Sequence, residues 1–356
     1  MKVCIIGNGL ASLTLANVLI KKDISVDIFS EKKINLYDQS RTLGISKSNI
    51  DYFNQEIINI KKISWKIRKI KIYSEKSNKK ELLRFDNKGD QIFSIIRNYK
   101  LQKLLLENLK KSKFIKFKNN FDIKRSEYKL VINCDPTHPY IKKYFSTKFE
   151  KNYNSFAYTT IISHKKIKND TAFQNFTKNG PIAFLPISES KSSIVYSLRS
   201  YKQKSISEMN NLVKKYNPIY TIKTFDDWKN FKLKSSSLRN YYNGNILAFG
   251  DLLHKIHPLA GQGFNMSLRD IKLLSDLIDE KINLGLDLDS SICQEFQKKS
   301  QSKNFIFLSG IDLIYELFNL ESKSNFKLLS NSINFIGNKK IINRLIKSYA
   351  DGGIGY

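Results

Sequence analysis

A strand-like run that ends in a glycine-rich turn constrains the fold of this chain more than any other feature. Residues 245–249 are mostly apolar, and apolar residues recur at helical spacing from Met266 to Ile278. Between them lies the sequence GDLLHKIHPLAGQGFN, residues 250–265. A turn that joins a strand to a helix is where open α/β sheets bind their ligands. The sequence therefore predicts an α/β fold with a ligand site at this turn.

Several residues of this turn suit a ligand that carries sugar and phosphate groups. Asp251 follows the strand directly and is placed to accept hydrogen bonds from a polyol. Pro258, Gly261 and Gly263 allow backbone N–H groups to approach a ligand at the start of the helix, where the helix dipole favours negative charge. A ligand-free turn explains Gly-x-Gly alone, but it does not explain the whole pattern.

The N-terminus contains a second strand, turn and helix. The apolar run Lys2–Ile6 leads into GNGLAS and a helical pattern, and residues 24–29 form the next predicted strand. In such a βαβ unit, Gly7 makes the tight turn, Gly9 admits a pyrophosphate, and Ser12, in place of a third glycine, packs the helix on the strand. This predicts a dinucleotide site.

An acidic residue should follow the second strand of this unit and hold the adenosine ribose. Glu31 is the nearest acid, although the usual register places the acid at Ser30. Glu31 is therefore a candidate ribose ligand, and an exposed loop carboxylate is an equally good interpretation.

Composition limits the class of protein. A length of 356 residues fits two domains at roughly 150 residues each. The net charge is +29, but only nine of the 61 basic residues are Arg, and the lysines are scattered among Asn and Ile as in a nucleotide-biased genome. We therefore expect no nucleic acid partner. A basic protein is still attracted to anionic membranes, by up to about 1 kcal/mol per well-placed Lys.

Cysteine spacing and hydropathy predict where the chain works. Cys4, Cys134 and Cys293 have no disulfide or metal spacing, and the four histidines are too scattered for a ligand set, so we expect a reducing cytoplasm and no metal. The chain enters a strand almost at once, which predicts no signal peptide. Residues 305–318 are apolar but too short to span a bilayer, and they include Asp312.

The pattern GD-x-x-H-x-x-HP-x-AGQG-x-N at residues 250–265 resembles the second FAD motif of the FAD-dependent aromatic-ring monooxygenases. Within that family it looks most like the hydroxylases of ubiquinone biosynthesis. The resemblance adds Gln262 and Asn265 to the predicted FAD-binding residues. It implies an α/β fold with a discontinuous Rossmann-like FAD-binding domain, an inserted β-sheet substrate domain and a C-terminal helical region.

The resemblance also implies domain boundaries. The FAD-binding domain is expected at 1–62, 95–150 and 240–282, the substrate domain at 63–94 and 151–239, and the helical region at 283–356.

Further segments carry the same resemblance. RTLGIS resembles the segment in which an arginine, here Arg41, grips the FAD pyrophosphate, a task suited to a guanidinium. IIRNYKLQKLL, residues 95–105, is predicted to open an amphipathic helix, and Gln102 matches a polar residue that reaches the flavin cofactor. Residues 171–186 resemble the sheet that forms a wall over the flavin ring.

The resemblance implies a reaction. Reduced FAD takes up O2, forms a C4a-hydroperoxide and transfers one oxygen to an aromatic ring, here a lipid-like polyprenylated phenol of ubiquinone biosynthesis. His257 is a weak candidate for general acid or base, and no residue is a confident catalytic candidate. A membrane-dissolved substrate implies peripheral contact with the inner face of a membrane or membership of a biosynthetic complex. The amphipathic basic segment 333–346 fits a membrane surface or a packed helix.

The electron donor is left open by one departure from the family pattern. Asp135-Pro136 occupies the place of an Asp-Gly motif that is implicated in pyridine-nucleotide use. Proline fixes φ and removes a donor, so the donor is NAD(P)H or a protein. Two alternative functions also remain, namely a related flavin oxidoreductase acting on another aromatic or isoprenoid substrate, and a non-catalytic subunit that retains the FAD fold.

Overall fold

The computed structural model describes residues 1–31, 39–75, 81–86, 89–119, 123, 127–200, 202–256 and 263–323. Its strands are β1 (Lys2–Ile6), β2 (Ser25–Phe29), β3 (Thr42–Ser46), β4 (Ser64–Ile67), β5 (Lys69–Ser74), β6 (Glu81–Asp86), β7 (Phe93–Arg97), β8 (Ile115–Lys118), β9 (Leu130–Asn133), β10 (Lys148–His164), β11 (Thr171–Thr177), β12 (Gly180–Pro186), β13 (Lys191–Arg199), β14 (Ile222–Phe225), β15 (Lys229–Leu238), β16 (Tyr242–Asn243), β17 (Ile246–Ala248) and β18 (His254–Lys255). Its α-helices are α1 (Leu10–Ile20), α2 (Lys47–Tyr52), α3 (Asn98–Leu109), α4 (Tyr140–Tyr144), α5 (Ile206–Tyr216), α6 (Gly263–Asn283) and α7 (Ser290–Lys323). A π-helical turn at Phe53–Ile57 and 3₁₀ turns at Lys61–Ile63 and Gly250–Leu252 complete the described elements.

A six-stranded sheet in the order β16-β17-β9-β1-β2-β8 forms the first layer. All its pairings are parallel except that of β16 with β17. Strands that are covered on both faces read as continuous apolar runs, which explains why Val3–Ile6 and Leu130–Ile132 are fully buried. The sheet is assembled from chain segments that are far apart in the sequence.

Helix α1 packs against the middle strands of this sheet. Every residue from Ser12 to Ile20 is buried. Asn17 binds the helix to α3, because its amide donates to the carbonyl of Leu105 at 3.2 Å and its Oδ1 accepts from Asn108 at 2.7 Å. Burial of a polar side chain is tolerated when its hydrogen bonds are made, so this amide fixes α3 against α1.

A nine-stranded, mostly antiparallel sheet forms the second layer. Its main path is β18-β15-β10-β13-β12-β11-β5-β6, and β14 pairs with β10. One face is covered by α5, whose Met209, Val213 and Tyr216 pack on the aromatic residues Tyr158 and Tyr196. Helix α5 begins with a capping box, in which Ser205 is the N-cap residue and Glu208 is the N3 residue. The opposite face of the large sheet is therefore the one that faces the rest of the molecule.

A three-stranded sheet in the order β3-β7-β4 links the two layers. Ile95 in β7 and Ile67 in β4 pack with Leu185 of the large sheet. The Thr42 hydroxyl donates to Ser193 Oγ of the large sheet at 2.9 Å. The small sheet therefore holds the large sheet in place by both apolar and polar contacts.

Helix α7 crosses from one layer to the other. Phe296 packs in the core of the six-stranded sheet, whereas Tyr315 packs against Tyr153 and Leu233 of the large sheet. Asp312 of α7 accepts a hydrogen bond from Tyr153 of β10. None of the helices over the described residues has the length and hydropathy of a membrane span.

The predicted α/β fold with a discontinuous parallel sheet and an inserted β-sheet is confirmed, and two local predictions need comment. Residues 63–93 alternate apolar and polar side chains around a charged turn, which predicts a β-hairpin, and the antiparallel strands β5 and β6 form it. The helix predicted from Ile95 begins at Asn98 instead. Ile95 and Ile96 belong to β7, where pairing with β3 and β4 on both sides outweighs the helical spacing.

Asp27 in β2 is a buried carboxylate with three donors around it. Lys118 Nζ lies 2.8 Å and Lys2 Nζ 3.0 Å from its Oδ2, and the Tyr128 hydroxyl donates at 2.6 Å. Burial raises the pKa of Asp27, but hydrogen bonds from Lys118, Tyr128 and Lys2 outweigh that effect and hold the pKa below its ordinary value. The charged form of Asp27 therefore stabilises the fold.

We expect Asp27→Asn to lower the free energy of unfolding by about 2–3 kcal/mol at neutral pH, because three donors lose a charged acceptor that is itself buried. The deficit should shrink as the pH falls through the lowered folded-state pKa, below the ordinary value of about 3.9, since the wild-type carboxylate is then protonated. Urea unfolding at neutral pH and at a pH below the folded-state pKa of Asp27 measures the free energies of unfolding. The control Asp51→Asn removes an exposed Lys47 pair and should cost less than about 0.5 kcal/mol. Equal losses in the two variants would contradict the assignment.

Candidate functional site

Three neighbouring strands of the parallel sheet end at the same level. Ile6 of β1 and Ala248 of β17 both pair with Asn133, the last residue of β9. The chain leaves these strands as Gly7, Cys134 and Phe249. The first turn, the turn after β9 and the second turn therefore lie side by side at the carboxyl edge of the sheet, where α/β sheets bind ligands.

The first turn uses its two glycines in different ways. Gly7 has φ +101°, and a Cβ there would lie 3.2 Å from the backbone nitrogen of Asp135, so both conformation and space require glycine. Gly9 has an ordinary φ of −73°, and a Cβ there would meet nothing within 4 Å. Gly7 is therefore required by the fold, whereas Gly9 leaves open space in front of the N-terminus of α1.

The second turn packs directly on the first. Gly250 has φ +65°, and a Cβ there would lie only 2.8 Å from the Cβ of Ala11. The next residue, Asp251, is exposed, and its carboxylate is close enough to contribute to the raised pKa of Cys134. Burial is the main cause of that shift, which takes the Cys134 pKa to about 12, and a hydrogen bond with Ser12 opposes it. Ser12, Cys134 and Asp251 thus lie together between the two turns.

Asn133 is a site residue that the sequence analysis missed. It is fully buried, and its Oδ1 accepts the N–H of Asp135 at 3.0 Å. Its Nδ2 has no hydrogen-bond partner among the described residues. Buried amide donors are normally satisfied, so an unpaired one between two turns fits a bound acceptor. Its place at the end of a buried strand, before a turn, was the available signal.

These features fit an FAD molecule laid across the strand ends. The N-terminus of α1 and the open space at Gly9 suit a pyrophosphate, Asp251 suits a polyol hydroxyl, and Asn133 supplies an unused donor. The fit depends on the backbone shape and polar atoms of this chain. FAD binding by these particular residues remains a prediction.

Helix α3 brings Gln102 to the first turn. Its Nε2 donates to the carbonyl oxygen of Asn8 at 3.4 Å. The structure therefore places this predicted residue next to Gly7 and Gly9, and a direct contact with the cofactor remains a prediction.

Asn265 lies near the start of α6 and is engaged with the small sheet. Its Nδ2 donates to the carbonyl of Gly44 at 2.8 Å, and its Oδ1 accepts from the N–H of Ser46 and the amide of Asn49. Its side chain thus anchors the second turn to β3. Gly263 begins α6 as the turn pattern predicted.

Four predicted residues of the second turn lie outside the described residues. They are His257, Pro258, Gly261 and Gln262. Their assignments remain predictions from the sequence.

Arg41 and Glu31 are not joined to the two turns by any contact among the described residues. The Arg41 guanidinium lies over the Phe231 ring of the large sheet at 5.6 Å, and its carbonyl accepts from the N–H of Asn98. Glu31 is exposed just beyond β2. The pyrophosphate and ribose roles predicted for them remain predictions.

The predicted wall at residues 171–186 consists of the antiparallel strands β11 and β12. Phe173 and Phe184 turn toward the core beneath α5, whereas Ala172 and Leu185 face the small sheet. This alternation is the ordinary consequence of strand geometry. Only the second set is on the side of the large sheet that packs against β4 and β7.

Known proteins support a flavin site. Residues 125–283 match the family described as FAD binding domain, which includes β9, the second turn and α6 but not the first turn. The chain is 24% identical over 216 residues to a mitochondrial ubiquinone biosynthesis monooxygenase, COQ6, of Caenorhabditis elegans, covering 48% of each chain. It is 30% identical over 158 residues to 3-demethoxyubiquinol 3-hydroxylase of Escherichia coli, covering 42% of this chain and 40% of the relative. The chain spans about half the length of these curated relatives.

The fold has solved counterparts. p-Nitrophenol 4-monooxygenase PnpA from Pseudomonas putida superposes with a TM-score of 0.78 over 99% of this chain and 98% of that chain, at 14% identity. At this identity the likeness shows the fold alone. The expected resemblance in sequence and fold is therefore confirmed.

We expect Asp251→Ala and Gly9→Val each to weaken FAD binding by at least about tenfold while leaving the apoprotein folded. Asp251 is exposed and Gly9 has free space at its Cβ, so neither change disturbs packing. Flavin absorbance of the purified protein and FAD titration of the apoprotein measure the effect, and circular dichroism reports the fold. Unchanged flavin content in Asp251→Ala would remove that residue from the site.

Proposed function

We propose that the chain, which carries the FAD binding domain and the fold of the FAD-dependent aromatic-ring monooxygenases, hydroxylates an aromatic ring in ubiquinone biosynthesis. The main support for this proposal is that the first and second turns meet at the carboxyl ends of β1 and β17, where Gly250 packs on Ala11. The names of the curated relatives support the pathway. The substrate is a polyprenylated phenol, and O2 is the second substrate.

Bound FAD supplies the reductive activation of O2 and the transfer of one oxygen atom to the ring. The chain binds and orients this cofactor. Gly9 leaves room for the pyrophosphate, Asn133 donates from its free amide, and Asp251 accepts from a hydroxyl group. The face of the large sheet that is directed toward β3 shields the reacting ring from water, which would otherwise discharge the activated oxygen.

The electron donor is a reduced nicotinamide or a donor protein. Asp135 is mostly buried, and its Oδ1 accepts from the N–H and the hydroxyl of Thr137 at 2.8 and 2.7 Å. Pro136 fixes this turn and offers no N–H. A donor protein is favoured if the purified protein oxidises neither NADH nor NADPH.

In cells that lack the protein, we expect an under-hydroxylated polyprenyl phenol to accumulate in the lipid-quinone profile. Wild-type protein should restore the normal quinone, and Asp251→Ala should not, because it loses the cofactor. Mass spectrometry of the accumulated lipid identifies the ring position. An unchanged quinone profile would refute the pathway, and turnover of a water-soluble phenol but not of prenylated phenols would favour the related oxidoreductase.

We also infer that the protein acts at the inner face of a membrane, on the cytoplasmic side. Four large apolar side chains are about half exposed and form the α7 patch: Phe149, Phe305, Ile306 and Leu313. Phe305 lies 6.3 Å from Phe149, ring to ring, and the guanidinium of Arg239 stacks on Phe149 at 4.8 Å. An apolar patch with basic neighbours on a chain of net charge +29 complements an anionic lipid surface.

We expect the double substitution of Phe305 and Ile306 by Ser to reduce binding to vesicles that contain phosphatidylglycerol by about tenfold, since apolar surface is no longer buried. Co-sedimentation measures the bound fraction. The matched control replaces Leu284 and Leu286 by Ser. Both residues are exposed beyond the end of α6, and this control should bind the vesicles as the wild type does. Binding that is insensitive to both double substitutions would place the contact elsewhere.

A further inference from the structure

His254 lies three residues after Asp251 and is almost completely buried. It is 2% exposed, and its Nε2 lies 2.5 Å from Oδ2 of Asp270, which is also 2% exposed. A carboxylate only accepts hydrogen bonds, so the imidazole Nε2–H is the donor in this pair. The contact joins β18, which lies within the second turn, to the interior of α6.

The other oxygen of Asp270 is bound from α7. Asn304 Nδ2 donates to Asp270 Oδ1 at 3.2 Å, and Asn304 is 3% exposed. The Tyr241 side chain also lies near this carboxylate. Burial, and then the charge of Asp270, raises the pKa of Tyr241 to about 12, which keeps it neutral. Asp270 is thus satisfied by one donor from β18 and one from α7.

The His254–Asp270 contact joins β18 to α6, two elements that the structure describes. The pairing of His254 with Ser237 fixes β18 to the large sheet as well. Because the turn Gly250–Leu252 directly precedes β18, a fixed β18 also fixes the position of Asp251.

We infer that His254, Asp270 and Asn304 form a clamp that positions the second turn, so that affinity for FAD depends on the docking of α7. This inference rests on the FAD site of the proposed function but not on hydroxylation. None of the three residues is a catalytic residue. They act through the turn, because the clamp holds Asp251 and the N-terminus of α6 in their places.

The large sheet contains a matched control for the clamp. His164 is also 2% exposed, and its Nε2 is within 3.1 Å of Ser192 Oγ. Its ring packs against Tyr220 with a centroid distance of 4.4 Å, and Tyr220 belongs to the cluster beneath α5. The substitution of His164 therefore removes a buried, hydrogen-bonded histidine, as the substitution of His254 does, but leaves the clamp intact.

The test compares His254→Leu, His254→Gln, Asn304→Ala and His164→Leu. FAD affinity is measured by fluorescence titration of each apoprotein, and stability by thermal unfolding without FAD. We expect His254→Leu and Asn304→Ala to weaken FAD binding by about tenfold or more, the scale of a lost hydrogen bond to a buried charge. His254→Gln, whose amide reaches Asp270 with an N–H, should restore most of the affinity. His164→Leu should be less stable but should bind FAD as the wild type does.

Limited trypsin digestion gives a second measurement that does not depend on FAD. Lys255 is exposed and directly follows His254. We expect faster cleavage after Lys255 in Asn304→Ala than in His164→Leu, even if His254→Leu does not fold. Wild-type FAD affinity and wild-type cleavage at Lys255 in Asn304→Ala would overturn the clamp. A wild-type protein that binds FAD but hydroxylates no ring would overturn the proposed function and leave these measurements valid for the clamp.

Discussion

Strand register in the parallel sheet determines whether the two glycine turns can meet. Both β1 and β17 are aligned on β9, with Ile6 and Ala248 opposite Asn133. A slip of one residue would turn every side chain of a strand to the other face and move its turn along the edge. The close approaches of Gly7 to Asp135 and of Gly250 to Ala11 exist only in this register.

The sequence was informative where local pattern and local structure coincide. The two strand–turn–helix units and the hairpin of β5 and β6 were predictable because their signals lie within short windows. The start of α3 at Asn98 was not, because Ile95 and Ile96 have helical spacing until β3 and β4 are brought beside them. The role of the Asn133 amide, whose Nδ2 is unpaired among the described residues, could not be predicted for the same reason. Its environment is created by two turns that are distant in the sequence.

Several polar residues of the motifs connect parts of the fold, in addition to any contact with a ligand. The Asn265 amide makes its three hydrogen bonds to β3 and α2, and Asp270 joins β18 to α7. Helix α7 then reaches the large sheet through Tyr315. A cofactor held at the strand ends is therefore mechanically linked to both layers. This arrangement explains why a motif read as a ligand site also contains structural side chains.

The central sheet has a consequence for synthesis on the ribosome. β1 is made first, but its partner β9 lies at residues 130–133, and β17, the partner of β9, lies at residues 246–248. Contacts between such distant segments slow folding, because a long loop must close before they form. Part of the apolar surface of β1 and α1 stays uncovered until β9 and α6 have been translated, and such surfaces favour aggregation. Nascent chains of this protein should therefore depend on molecular chaperones more than a chain of equal length with local contacts.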